Sequence, residues 1–259
     1  MRKPELLIPA SSLEVLKTAV LFGADAVYIG GEAFGLRAKA RNFDKESMKE
    51  GIAFAHERGV RVHVTANILA HNRDLEGARE YFKELRERVH PDALIISDPA
   101  IFTIAQEVLP EMELHVSTQA NNTNYGTYNF WHRLGAKRVV TARELSLAEI
   151  KEIREHIPDD LEIETFVHGA MCISYSGRCL LSSFLTGRDA NQGECTHPCR
   201  WKYAVVEETR PGEYMPVYEN ERGTYIFNSK DLCMIEHIPE MIDAGIDSLK
   251  VEGRMKTAL

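Results

Sequence analysis

Short apolar runs alternate with amphipathic stretches along most of the chain. Runs rich in Val, Ile and Leu are typical of buried strands, and apolar positions spaced by three or four residues indicate helices. The predicted strands are Leu6–Pro9, Ala26–Ile29, Val60–Ala66, Ala93–Ser97, Glu113–Thr118, Arg138–Thr141 and Leu161–Val167. The predicted helices between them are Ser12–Phe22, Asp44–Arg58, Leu75–Arg88, Pro99–Val108, Asn124–Leu134 and Ser146–His156, the last with Ser146 and Glu149 as a capping box.

This alternation changes after the seventh strand. Residues 168–202 hold most of the cysteines, and the next stretch has the pattern of β-hairpins at Tyr203–Glu207, Met215–Tyr218 and Thr224–Phe227. A helix over Leu232–Ala244 and an eighth strand over Ser248–Val251 restore the alternation. The pattern predicts one α/β domain over residues 1–259, a (β/α)8 TIM-barrel-like fold with an insertion at 168–227. A doubly wound open sheet is the alternative, but no Gly-rich dinucleotide turn follows the first strand.

The sequence stops directly after the predicted eighth strand. A barrel without a helix after this strand would expose an apolar stripe, because that helix normally covers the outside of the sheet. We therefore expect a C-terminally truncated piece of a longer protein.

Composition is that of an ordinary globular protein, with 44% hydrophobic and 27% charged residues. No apolar run approaches the roughly 20 residues that span a bilayer, and the N-terminus lacks the apolar core of a signal peptide. We therefore expect a cytoplasmic protein with no membrane contact. The net charge of −8 argues against nucleic-acid binding over the whole surface but allows a local basic patch, since Arg178, Arg188 and Arg200 lie around the cysteines.

Four of the five cysteines fall in one run with the spacing C-x6-C-x15-C-x3-C. Because cytosolic thiols are kept reduced, this clustering indicates metal ligation more than disulfides. The spacing favours an iron–sulfur cluster, with zinc as the alternative, because zinc sites usually pair their ligands as two tight knuckles and only the last pair here is tight. The predicted ligands are Cys172, Cys179, Cys195 and Cys199, with Cys233 as an alternative fourth ligand.

Polar side chains recur where the predicted strands end, which is the end of such barrels that carries the chemistry. Any one of them could be a helix cap or a turn residue, but together they suit a polyoxygenated or anionic ligand. The candidate catalytic residues are His168, Arg143, Glu144, Lys250, Glu252 and Arg254. The candidate substrate-binding residues are Tyr28, Arg37, Asn67, Gln119, Asn121, Arg178, Arg188 and Arg200.

Two segments resemble the signature of peptidase family U32. They are ETFVHGAMCISYSGRCLLS at 164–182 and RDANQGECTHPCRW at 188–201. The resemblance extends over essentially the whole chain and is strongest to the branch that makes 5-hydroxyuridine at the tRNA wobble position. Its further runs are Pro4–Leu7, Gly23–Tyr28, Ser117–Asn121, Arg143–Ser146, Asn228–Leu232 and Ser248–Arg254.

The resemblance implies a [4Fe-4S] cluster and oxygen-independent hydroxylation of tRNA, with prephenate as the source of the hydroxyl group. By position, the resemblance implies that Cys172, Cys179 and Cys195 are cluster ligands. Cys199 matches the fourth cysteine of the tRNA-modifying branch. A related branch takes its fourth cysteine from a later insertion, which leaves the choice between Cys199 and Cys233 open. Prephenate is a small dicarboxylate that Arg143, Lys250 or Arg254 could clamp. The implied partners are tRNA and a second family member or another copy of the chain.

The family name implies proteolysis as the alternative activity. A thiolate with a nearby imidazole is a working nucleophile, and His168 lies near Cys172 in the sequence. Four clustered thiols are nevertheless more than a nucleophile requires. The chain contains no H-E-x-x-H helix, no G-x-S-x-G elbow and no P-loop.

Overall fold

The computed structural model describes residues 3–31, 33–35, 43–172, 174–201, 204–205, 208–213, 215–216 and 231–253, with only the backbone at 200, 204–205 and 215–216. Within these residues, no helix has both the length and the apolar character needed to cross a membrane.

Eight parallel strands close into a barrel. Seven of them come first along the chain: β1 (Glu5–Pro9), β2 (Ala26–Gly30), β3 (Arg61–Ala66), β4 (Ala93–Ile96), β5 (Glu113–Val116), β6 (Arg138–Val140) and β7 (Glu162–Ala170). Then follow a small antiparallel pair, β8 (Ala204–Val205) with β9 (Met215–Pro216), the strand β10 (Asp231–Cys233) and the last barrel strand β11 (Ser248–Val251). Each strand from β1 to β7 pairs with the next, and β11 pairs with both β7 and β1, which closes the ring. The predicted TIM-barrel-like fold is confirmed.

Six helices fill the connections between the first seven strands. They are α1 (Leu13–Leu21), α2 (Lys45–His56), α3 (Leu75–Glu84), α4 (Pro99–Val108), α5 (Tyr125–Arg133) and α6 (Leu147–Glu155), and two short ones follow, α7 (Leu181–Thr186) and α8 (Ile238–Asp243). Side-chain caps start several of them, and such a cap contributes about 1 kcal/mol. Asp98 accepts from the main chain of Ala100 and Ile101, and the predicted capping box of Ser146 and Glu149 is present.

The two sides of the sheet have different chemistry. Between the strands and the helices lies a continuous apolar core that includes Val27, Val64 and Ile96. The lumen of the barrel instead holds buried charges, beginning with Arg138, whose guanidinium contacts Glu5 at 2.6 Å, Glu162 at 2.7 Å and Glu164 at 3.0 Å. A small second apolar cluster consists of Leu7, Ala26, Tyr28 and Ile95.

The sequence prediction was wrong at the borders of the insertion. The helix predicted from Leu232 begins only at Ile238, because Asp231–Cys233 instead forms β10, antiparallel to the end of β7. β7 itself runs on to Ala170, so His168 lies within the strand rather than after it. The helix α7 was not predicted, and the third predicted hairpin strand, Thr224–Phe227, lies outside the described residues.

Candidate functional site

A cavity of about 430 Å³ opens at the carboxyl ends of the barrel strands. Its floor and walls come from β2 to β7, β11 and the loops after them. Its cover comes from the described residues between 171 and 201, which we call the cysteine segment. On the barrel side, it is lined by Tyr28, Thr65, Asn67, Ile95, Ser117, Thr118, Gln119, Val140, Arg143, Phe166, Lys250 and Glu252. This volume is within the range of small-molecule sites.

Lys250 projects from β11 into the floor of the cavity. Its ammonium contacts Glu164 Oε1 at 2.6 Å and lies 4.4 Å from the centre of the Tyr28 ring. Glu164 is fully buried, and burial alone would raise its pKa, but the charges of Lys250 and Arg138 lower the pKa to about 2. The lumen network of paired charges therefore reaches the cavity floor through Glu164 and Lys250.

Arg143, from the loop after β6, links the cavity wall to the first cysteine. One guanidinium nitrogen contacts Glu252 Oε2 at 2.5 Å, and the other lies 3.4 Å from Cys172 Sγ. The guanidinium also lies 4.1 Å from the centre of the Phe166 ring. Ionic, sulfur and ring contacts together fix the orientation of this side chain.

Amides and hydroxyls form another part of the wall. Asn67 Nδ2 donates to Ser117 Oγ at 3.3 Å, and Thr118 Oγ1 donates to the carbonyl of Thr141 at 2.9 Å. Gln119 follows on a short 3-10 turn, Thr118–Ala120. This wall offers donors and acceptors suited to the polar edge of a base or a sugar acid.

All four clustered cysteines line this one cavity. The main-chain N–H of His197 donates to Cys195 Sγ at 3.4 Å, and Asn191 Nδ2 donates to the carbonyl of Cys179 at 3.2 Å. Among the described residues, no three His, Cys, Asp or Glu side chains form a group that could hold a metal ion as they stand. The thiols have the right chemistry for iron or zinc but would have to turn toward a common point to bind it.

The cysteine segment is anchored to loops of three different strands. After β3, the main-chain N–H of Leu69 donates to the carbonyl of Asn191 at 3.1 Å, and Gln192 Nε2 donates to the carbonyl of Leu69. After β6, Glu144 Oε1 accepts from the main chain of Ser176 at 2.9 Å. After β5, Gly177 lies so close to Gln119 that an added Cβ would come within 2.0 Å of its carbonyl oxygen.

Several sequence-predicted residues lie away from the described lining of the cavity. His168 is exposed and pairs in register with Cys233, which is also exposed. Asn121 takes a left-handed conformation after its 3-10 turn, and its Nδ2 atom is buried without a hydrogen-bond partner in the described structure. Arg178 is exposed and Arg188 half-buried. Arg37, Arg254 and the side chain of Arg200 lie outside what the structure describes.

The sequence reasoning missed two buried histidines beneath the cavity. His63 and His115 are both fully buried and meet edge to face with their ring centres 4.8 Å apart. Burial, together with neighbouring positive charge, lowers the pKa of both imidazoles, and that of His63 falls well below its usual value of 6.5. A signal was available, since Arg61, His63 and Thr65 alternate with valines in β3, which places polar residues on one face.

Fold and site define a class: a TIM-barrel protein in which a four-cysteine segment covers a cavity at the carboxyl ends of the strands. The chain belongs to peptidase family U32, whose model matches residues 11–259. A solved structure, that of the U32 peptidase Mk0906, covers 98% of this chain and 94% of its own, with a TM-score of 0.63 at 16% identity. At that identity the likeness concerns the fold.

Two relatives are considerably more similar in sequence. The chain is 47% identical over 256 residues to tRNA hydroxylation protein P1 of Bacillus subtilis (strain 168), covering 99% of this chain and 60% of that protein. It is 43% identical over 298 aligned positions to tRNA hydroxylation protein P of Escherichia coli (strain K12), covering 99% of this chain and 65% of the relative. The chain thus spans less than two thirds of the length of these two proteins.

Proposed function

We propose that this chain carries the active site of an RNA hydroxylase that converts the wobble uridine of tRNA to 5-hydroxyuridine. The observation that carries the proposal is the convergence of four cysteines, two cations and an amide wall on one cavity. The names of the two similar relatives supply the reaction class. The proposed hydroxyl donor is prephenate, a small dicarboxylate.

The proposed cofactor is a [4Fe-4S] cluster on Cys172, Cys179, Cys195 and Cys199. Cys199 is preferred to Cys233 because Cys199 lines the cavity, while Cys233 is exposed on β10 beside His168. Such a cluster supplies one-electron chemistry when bound. The main-chain donor to Cys195 is of the kind that tunes cluster potential.

Arg143 and Lys250 are the residues proposed to bind the dicarboxylate. Arg143 already contacts Glu252, and Lys250 already contacts Glu164. These two carboxylates differ in accessibility, since Glu164 is fully buried and the Glu252 side chain is 17% exposed. We therefore expect one carboxylate of the dicarboxylate to join or displace Glu252 at Arg143, and the other to approach Lys250 while the Glu164–Lys250 pair stays intact as the floor. The Asn67, Ser117 and Gln119 wall would then orient the uracil edge through hydrogen bonds.

Loss of the protein in cells gives the first test. Nucleosides from bulk tRNA should lose wobble 5-hydroxyuridine and its derivatives in cells without the gene, and the wild-type gene should restore them. Cys179→Ala should fail to restore them, whereas the matched variant Cys233→Ala should restore them fully. Unchanged nucleosides in cells without the gene would refute the proposal.

A second measurement addresses the cofactor itself. Protein purified without oxygen should be brown and contain about four iron and four sulfide per chain, and Cys199→Ala should lower both while Cys233→Ala does not. A colourless protein with zinc in place of iron would contradict the cluster.

Proteolysis is the second candidate, favoured by the family to which the chain belongs. It needs an activated nucleophile, and the proposed partner His168 is exposed outside the described lining of the cavity that holds Cys172. Gelatin hydrolysis by the pure protein that Cys172→Ser abolishes and iron removal leaves unchanged would establish it instead.

A further inference from the structure

The cysteine segment exposes three aromatic side chains to solvent. Tyr175, Phe184 and Trp201 are 60%, 86% and 47% exposed. Tyr175 also lines the cavity, so it stands at the rim where solvent and cavity meet. Single exposed rings are common on protein surfaces, but several exposed apolar side chains in one segment beside a cavity are typical of an interaction site.

The short helix α7 has an inner and an outer face. On the inner side, Leu181 lines the cavity, and the buried Ser182 shares a hydrogen bond of 3.0 Å with Thr196. Leu180 and Phe184 are four residues apart and joined by a backbone hydrogen bond of 2.9 Å, so they share the outer face, where both are largely exposed. The apolar face beside the cavity therefore points outward.

Two arginines flank this helix without acidic partners in the described part of the chain. Arg178 is exposed, and Arg188 follows α7 with a buried Nε atom that lacks a hydrogen bond among the described residues. By contrast, Arg138 and Arg143 deeper in the barrel each contact carboxylates. Asp189 and Glu194 belong to the same segment, so the segment carries both signs of charge, and these two arginines lie beside the exposed rings.

We infer that this rim surface, made of Tyr175, Arg178, Leu180, Phe184, Arg188 and Trp201, binds unpaired nucleotides next to the one that enters the cavity. Exposed rings stack on unpaired bases of any sequence, and arginines contact the phosphates between them. A protein partner would explain the apolar side chains alone, but two arginines that form no ion pair among the described residues, close to the mouth of the cavity, favour an anionic partner. The inference rests on the proposed function and adds the surface that holds the RNA strand.

Binding of a labelled anticodon stem-loop to the full-length protein tests it. Phe184→Ala and Tyr175→Ala should each weaken binding about 5- to 150-fold, which corresponds to the loss of one stacked base. Arg178→Ala should reduce the slope of log affinity against log salt concentration by about 0.7 to 1. The matched controls are Phe22→Ala, 87% exposed, and Arg133→Ala, because both residues lie at carboxyl ends of helices, at the opposite end of the barrel.

The outcomes separate this inference from the proposed function. Wild-type affinity in Phe184→Ala and Tyr175→Ala, with hydroxylation of tRNA intact, would overturn the rim surface alone. A wild-type protein that neither binds nor modifies RNA would overturn both. If Phe184→Ala changes only self-association measured by sedimentation, the face is a protein contact and the inference is wrong.

Discussion

At the scale of residues, the main feature is a barrel lumen built from opposite charges. Glu164 is fully buried between Arg138 and Lys250, so its charge is compensated from both sides. Removing one partner from such a buried group leaves the others uncompensated and is costly. The energetic consequence can be measured one side chain at a time.

Glu164→Gln should lower the free energy of unfolding by about 3–5 kcal/mol at pH 7. The stability that Glu164 contributes is fully present above its unfolded pKa of about 4.5 and is lost as the pH falls toward its folded pKa of about 2. The difference in unfolding free energy between the wild type and Glu164→Gln, measured by urea unfolding, should therefore shrink as the pH is lowered from 5 to 2.5. Glu50→Gln is the control, since it breaks an exposed pair with Lys17 and should cost less than about 1 kcal/mol. Equal effects of the two variants would contradict this account.

At the scale of elements, one of the three anchors of the cysteine segment requires a glycine. Gly177 has φ of +73° and contacts the Gln119 carbonyl, whereas Gly187 has a similar φ of +69° with nothing near its Cβ position. Gly187→Ala should lower the free energy of unfolding only by the backbone strain, about 1 kcal/mol. Gly177→Ala should lower the free energy of unfolding by more, because the clash of the added Cβ with the Gln119 carbonyl adds to the backbone strain.

Limited proteolysis and amide hydrogen exchange over residues 171–201 measure the effect of Gly177→Ala. Faster cleavage and exchange are expected in Gly177→Ala, with Gly187→Ala close to wild type. Similar behaviour of the two variants would show that the contact with Gln119 is not an anchor.

The sequence predicted the elements that carry their own local signals. The strands of the barrel have continuous apolar runs, and α4 and α6 have caps at Asp98 and Ser146, so their positions were nearly correct. β10 and α7 were missed because they are short and held by tertiary contacts, the former by pairing with β7. At the site, Arg143 and Lys250 were predicted from their positions after β6 and within β11, and both line the cavity. His63 was missed because the interior of a barrel is usually expected to be apolar.

At the scale of the whole molecule, the two lumen histidines make the barrel sensitive to acid. His63 is packed near His115, Arg138, Arg61 and Lys250, and its lowered pKa keeps it neutral in the fold. Below pH 6.5 the unfolded chain gains a proton that the folded chain excludes, so stability falls as the pH falls.

His63→Leu should remove part of this dependence. Between pH 7 and pH 5, the wild type should lose up to about 2 kcal/mol more unfolding free energy than the variant. Urea titrations at the two pH values measure the difference. Parallel losses in the two proteins would show that His63 takes up its proton in the folded state.

The Arg138 network has a consequence for how sequences of this family diverge. One guanidinium contacts Glu5 from β1 and both Glu162 and Glu164 from β7, so loss of Arg138 would leave three carboxylates facing one another inside the barrel. We expect these four positions to covary, exchanging as a set for an apolar interior or persisting together.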